Sequence, residues 1–156
     1  MELQSPSGQR FKLNIEGYQF PEGPMGWHDR NWLNIRIAVT HPRGSWERSA
    51  PALLTEEVAK LASWFEQVAR GEARGDCRFV EPKLVFALAT DAAGREVVRV
   101  YIEQRLRPMW AEAHESGTRD LWVDFPIDAA AFLAAALDLR RQLAIFPERS
   151  GDDSER

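Results

Sequence analysis

The stretch WLNIRIAVTHPRGSWERS, residues 32–49, contains the clearest strand pattern in the sequence. From residue 32 to residue 40 aliphatic side chains alternate with polar or small ones, which is the period of a strand with one buried face. HPRG, residues 41–44, follows with proline in its second place and glycine in its fourth, as in a common type of β-turn. Residues 45–49 can then return as a short edge strand. The stretch therefore predicts a β-hairpin.

The same alternation recurs on both sides of this hairpin. It predicts strands over residues 11–15, 83–90, 98–102 and 121–125, with the second and third joined by a turn at residues 91–94. The first strand runs into GYQFP, residues 17–21, where Pro21 cannot donate to a ladder. The glycines and prolines after it predict an irregular loop as far as Trp32.

Two segments have helical periodicity. Thr55 is a good N-cap for the first and Gly71 a left-handed stop. Asp128 caps the second, in which several alanines, Leu133 and Leu137 widen the apolar stripe towards full burial, and Pro147 ends it. The order predicts an α+β fold, an antiparallel β-sheet of about five to seven strands with two α-helices packed on one face. We expect residues 1–147 to form a single domain and residues 148–156 to be a charged, disordered tail.

Composition narrows the function. A chain of 156 residues, 44% hydrophobic and 28% charged, suits one globular domain. Its formal net charge of −4, with no basic stripe, argues against direct nucleic-acid binding. The longest apolar run is too short to span a bilayer, so we expect a soluble, cytoplasmic protein without membrane contact. A single cysteine, Cys77, excludes an internal disulfide and a thiolate cluster, and we expect it to be a small buried hydrophobe.

The predicted sheet has an aliphatic face for the helices and a mixed face of aromatic and charged residues. This mixed face is either open to a partner or covered by the loop at residues 17–31. Trp32, Tyr101 and Trp122 are its best interface anchors, because rigid amphipathic rings gain contact area at small entropic cost. The candidate partner-binding residues are Trp32, Asn34, Arg36, Arg99, Tyr101, Glu103, Trp122 and Asp124.

Catalysis has weaker support in the sequence. Glu103 and Asp124 could form a general acid/base pair, but cross-strand ion pairs explain the same pattern more simply. The three histidines, His28, His41 and His114, fall in predicted loops without the spacing of a metal site. No glycine-rich loop joins a strand to a helix. We therefore expect no catalytic residue, metal or cofactor.

Seven short motifs, taken in order, are similar to those of the WapI family of bacterial immunity proteins. They are GYQFP (17–21), Asp29 with NWL (31–33), GSW (44–46), LLT (53–55), EP (81–82), RPMW (107–110) and FPER (146–149). The resemblance spans nearly the whole chain. It implies a cytosolic antitoxin, not an enzyme, that binds and occludes a cognate toxin domain. It carries over no binding residues, because the motifs are mostly turns and aromatic packing.

Three functions thus remain open. An immunity protein with an acidic body would be steered towards a basic, RNA-cleaving toxin. A small-ligand-binding protein or hydrolase-like enzyme would instead use a closed pocket on the mixed face. A homodimer could pair the edge strand at residues 45–49, so we expect a monomer or a weak homodimer.

Overall fold

The computed structural model describes residues 1–22, 26–111 and 119–150. This part of the chain has seven strands, three α-helices and two short 3-10 helices, Gln104–Leu106 and Met109–Ala111. All strand pairs are antiparallel, and the predicted α+β class is confirmed. In chain order the other elements are β1 (Glu2–Gln4), β2 (Arg10–Tyr18), α1 (Trp27–Asn31), β3 (Trp32–His41), β4 (Gly44–Leu54), α2 (Thr55–Arg70), β5 (Leu84–Thr90), β6 (Glu96–Ile102), β7 (Trp122–Pro126) and α3 (Ala129–Ile145).

The strands are divided between two sheets, where the sequence predicted one. The first sheet has the order β1-β2-β3-β4 and the second β5-β6-β7. β4 is the outer strand of the first sheet, and its side chains contact the segment that follows β6. Trp46 Nε1 donates to the carbonyl of Leu106 at 3.0 Å, and Arg48 Nε donates to that of Arg105 at 3.1 Å. A 3-10 helix therefore lies beside β4, where a fifth strand would otherwise pair.

The inner faces of both sheets and the two long helices share one hydrophobic core. Phe86 of β5 packs edge-on against Phe11 of β2, with ring centroids 5.8 Å apart, and against Phe65 of α2 at 5.5 Å. Phe65 in turn contacts Phe132 of α3 at 5.4 Å. Four fully buried rings thus connect the two sheets and both helices.

The helices begin and end close to the predicted positions. Asp128 caps α3, its carboxylate accepting from the N–H of Ala131 at 3.2 Å, and Gly71 ends α2 with φ of 71°. Thr55 is the first residue of α2 and not its cap. Leu54 occupies the cap position, and its N–H donates to Glu57 Oε2 at 2.9 Å.

The prediction that α3 is close to fully buried is wrong at Leu133 and Leu137. Both side chains are exposed. In α3 the buried side chains are Phe132, Ala135, Ala136 and Leu139, which occupy one side of the helix. The spacing of apolar residues along a helix predicts how wide its apolar face is. It does not predict how much of that face other elements of the protein cover.

Glu148 and Arg149, at the start of the predicted tail, contact the loop and helix that follow β2. The guanidinium of Arg149 lies 3.9 Å from the ring centroid of Tyr18. It donates to the carbonyls of Phe20 at 2.8 Å and Pro21 at 3.0 Å, and Nε donates to that of Arg30 at 2.8 Å. These contacts fasten the chain end to the loop that follows β2. Residues 151–156 lie outside the described residues.

Candidate functional site

The division into two sheets also divides the eight predicted site residues. Trp32, Asn34 and Arg36 lie on β3 in the first sheet. Arg99, Tyr101, Trp122 and Asp124 lie on β6 and β7 in the second sheet, and Glu103 follows β6. The residues therefore do not form one continuous face. The structure brings together only the four from β6 and β7.

The three residues of the first sheet have ordinary surroundings. Arg36 forms a cross-strand ion pair with the exposed Glu47 of β4, as the simpler interpretation predicts. Trp32 lines a cleft of about 380 Å³ with Phe20 and Asp29. Of the eight predicted residues, Trp32 alone lines this cleft, so the cleft is not the mixed-face pocket that an enzyme would use.

The four residues of the second sheet form a compact group. The guanidinium of Arg99 donates to both carboxylate oxygens of Asp124, at 2.7 and 2.9 Å, and lies 4.7 Å from the ring centroid of Trp122. The hydrogen bonds to Asp124 raise the pKa of Arg99. Tyr101 contacts Trp122 edge-on at 6.0 Å, and the guanidinium of Arg119 lies 5.4 Å from the Tyr101 ring centroid. Two arginines thus stack on two neighbouring rings.

The turn between β3 and β4 extends this group. The imidazole of His41 lies close to the backbone of Trp122, and its Nδ1 accepts from the N–H of Arg43 at 3.0 Å. Burial, with a smaller effect of the charge on Arg43, lowers the pKa of His41 and favours its neutral form. His41 also contacts Trp110 at 6.2 Å, and the guanidinium of Arg43 lies 4.6 Å from the Trp110 ring centroid.

These contacts join the two groups into one surface. Trp110 is 43% exposed and Trp122 is 37% exposed, and Met109 beside Trp110 is 78% exposed. Tryptophan, tyrosine and arginine are the residues most enriched among the energetic anchors of protein interfaces. We call the following residues the aromatic–arginine surface: Arg43, Arg99, Tyr101, Trp110, Arg119 and Trp122.

Glu103 does not reach this surface, which corrects its place among the partner-binding candidates. It is only 3% exposed, and its Oε1 accepts from the N–H of Arg119 at 3.0 Å. Arg107, itself buried, lies 3.7 Å from Oε2 and also pairs with Asp120 at 2.8 Å. Arg119 has φ of 49°, a left-handed conformation that is uncommon outside glycine. The buried carboxylate therefore helps to hold Arg119 in the conformation that lays its guanidinium on Tyr101.

The environments of Glu103 and Asp124 are those of structural ion pairs. Glu103 is buried, and both carboxylate oxygens of Asp124 accept hydrogen bonds from Arg99. Burial raises the pKa of the Cys77 thiol to about 11, so it is protonated at neutral pH. No three His, Cys, Asp or Glu residues within 1–22, 26–111 and 119–150 are grouped to hold a metal ion.

The profile of the immunity protein WapI-like family matches residues 2–147, nearly the whole chain. The chain belongs to this family. The match confirms the resemblance drawn from the seven motifs. Searches against curated proteins and against solved structures find no match. Among the described residues no helix is long and apolar enough to span a membrane.

Four of the seven motifs meet in space, in two pairs. FPER supplies Arg149, which binds the carbonyls of Phe20 and Pro21 in GYQFP. GSW and RPMW meet at Trp46 and Trp110, whose ring centroids lie 5.7 Å apart. The contact between FPER and GYQFP holds the loop after β2 in place. The contact between GSW and RPMW forms one end of the aromatic–arginine surface.

Gly44 shows why GSW begins with glycine in this WapI-like chain. Its φ of 142° lies in a region that residues with a side chain rarely adopt. A Cβ placed there would lie 3.6 Å from Trp110 Nε1, so the ring packs directly over the turn. The motif was visible in the sequence, but its contact with Trp110 was not. Gly44 has no side chain to assign to a face of β4, and Trp110 lies in a 3-10 helix, where strand alternation does not apply.

Proposed function

We propose that this protein is an immunity protein that binds a cognate bacterial toxin domain and blocks it by occlusion. The observation that carries the proposal is the family match over residues 2–147. We place the toxin contact on the aromatic–arginine surface, where exposed Trp110 and Trp122 lie beside stacked arginines.

The chemistry of this surface supports protein binding. A tight protein complex buries on the order of 1,600 Å² in total, with a few aromatic and arginine anchors carrying most of the affinity. Tyr101 and Trp122 are held by their neighbours, so little side-chain entropy is lost when a partner covers them. We take the role to be non-enzymatic and to be performed in the cytoplasm, by a monomer or a weak homodimer.

Co-expression tests the proposal. The probe is the product of the toxin-like reading frame beside the gene, expressed with and without this chain. We expect the wild-type chain to rescue growth and to co-purify with the toxin domain. Rescue without a complex would refute occlusion, and failure of both would refute the immunity role.

Two double variants test where the toxin binds. We expect Tyr101→Ala with Trp122→Ala to abolish rescue, because it removes two adjacent rings of the aromatic–arginine surface. The control is Trp32→Ala with Arg36→Ala, which removes the predicted candidates on the first sheet. Circular dichroism confirms that both variants are folded. Loss of rescue only in the control pair would move the contact to the first sheet.

A further inference from the structure

The carboxylates near the aromatic–arginine surface are already engaged. Asp124 is bound on both oxygens by Arg99, Asp120 pairs with Arg107, and Glu103 is enclosed. The ion pairs of these three carboxylates in the described part of the chain are with Arg99 and Arg107, not with Arg43 or Arg119.

Arg43 and Arg119 contact aromatic rings and not carboxylates among the described residues. Neither guanidinium has a carboxylate partner among the described residues; each instead lies over an aromatic ring, Arg43 over Trp110 and Arg119 over Tyr101. A contact with a ring takes up no carboxylate, so the guanidinium can still donate N–H groups in a fork that matches one.

Arg43 and Arg119 lie at the two ends of one chain of contacts. From Arg43 the contacts run through Trp110, His41, Trp122 and Tyr101 to Arg119. The surface therefore presents an apolar centre with a cation at either end. This is the complement of a segment that carries carboxylates on both sides of an apolar side chain.

We infer that the segment of the toxin that docks on this surface is acidic and carries carboxylates that pair with Arg43 and Arg119. The inference rests on the proposed function and adds the chemistry of the contact to it. It differs from the expectation drawn from net charge. A chain with a charge of −4 attracts a basic partner at long range, but this surface has the opposite sign. The toxin would thus be held by an acidic region and not by a basic nucleic-acid-binding groove.

Nucleic acid is the weaker match for the same guanidinium groups. Binding to a phosphate backbone at physiological salt depends on many cations, because affinity comes from the counterions that each neutralised phosphate releases. The surface offers two arginines that have no carboxylate partner within residues 1–22, 26–111 and 119–150, and exposed apolar area at Met109 and Trp110. An acidic protein segment uses both features, whereas a nucleic-acid backbone uses only the first.

The test is the affinity of the purified chain for the toxin domain encoded beside it, measured by calorimetry in 150 mM salt. The variant is Arg43→Glu with Arg119→Glu. The matched control is Arg74→Glu with Arg141→Glu, two exposed arginines away from the surface, which changes the net charge equally. We expect the first pair to weaken binding by about 30-fold or more, and the control pair by less than about threefold.

A second double variant, Arg43→Gln with Arg119→Gln, removes both charges without reversing them. It controls for misfolding caused by charge reversal. We expect it to weaken binding by about tenfold, with an unchanged circular dichroism spectrum. If charge reversal leaves the affinity equal to that of the control, the inference is wrong while the proposed function stands. If the wild-type chain forms no complex with the toxin, the proposed function fails and the inference with it.

A third measurement separates protein from nucleic acid. The wild-type chain is titrated into fluorescent transfer RNA in the same salt. We expect no saturable binding. Saturable binding that is lost in the Arg43→Glu and Arg119→Glu variant would assign the surface to nucleic acid and overturn the inference.

Discussion

Arg149→Ala should lower the free energy of unfolding, because it breaks the contacts between the segment after α3 and the loop after β2. The substitution removes hydrogen bonds from the guanidinium to the carbonyls of Phe20, Pro21 and Arg30, together with the stacking on Tyr18. At about 1 kcal/mol net for each of the three carbonyls, and about 0.5–1 kcal/mol for an exposed cation–π contact, the loss is about 3.5–4 kcal/mol. In a chain of this size each kcal/mol lowers Tm by roughly 3 °C, so we expect a fall of about 11 °C.

Urea unfolding followed by tryptophan fluorescence measures this loss. Arg74→Ala is the control, because Arg74 is exposed in the connector after α2, and we expect its effect to be below about 0.5 kcal/mol. Arg149→Lys keeps the charge but not the fork, and should retain roughly half of the stabilisation. A free energy of unfolding for Arg149→Ala within 0.5 kcal/mol of wild type, with unchanged amide exchange at residues 27–31, would show that the fastening contributes little.

Three further predictions concern buried or constrained positions. Asn31→Ala should cost about 2–4 kcal/mol in urea unfolding, because the buried amide bonds Trp27, Thr55 and Arg149, and a loss below 0.5 kcal/mol would contradict this. Gly44→Ala should cost about 1–2 kcal/mol, since φ there is 142°, and equal melting of variant and wild type would refute the strain. Cys77 has its pKa raised from 9 to about 11, so the folded chain favours the protonated thiol and this contribution to stability is complete below pH 9 and lost as pH rises to 11. Wild type should therefore lose about 2 kcal/mol more than Cys77→Ala between pH 9 and pH 11, and parallel pH curves would exclude the effect.

Strands with strict alternation could be predicted from the sequence, and very short elements could not. β3 and β6 follow the period of two because one face of each is buried against the core. β1 has three residues and α1 has five, which is too few for any period to appear. The 3-10 helix lies beside β4, the edge strand of the first sheet, through tertiary contacts that no local sequence pattern predicts.

The candidate site was predictable only where it lies on strands. Arg99 and Tyr101 could be assigned to one face of β6 because side chains alternate along a strand. Arg43 lies in a turn and Trp110 in a 3-10 helix, where alternation does not apply. Glu103 follows the last residue of β6 and turns inward, so continuing the alternation by one position placed it on the wrong side.

Phe86 has a consequence for how the molecule folds. Within the described ranges the two sheets have no ladder in common, so side chains such as Phe86, which packs against Phe11 and Phe65, hold them together. Phe86→Ala should therefore weaken the packing between the two sheets and lower the free energy of unfolding by about 3–5 kcal/mol. Calorimetry of this variant would show how far the shared core still makes both sheets melt in one transition.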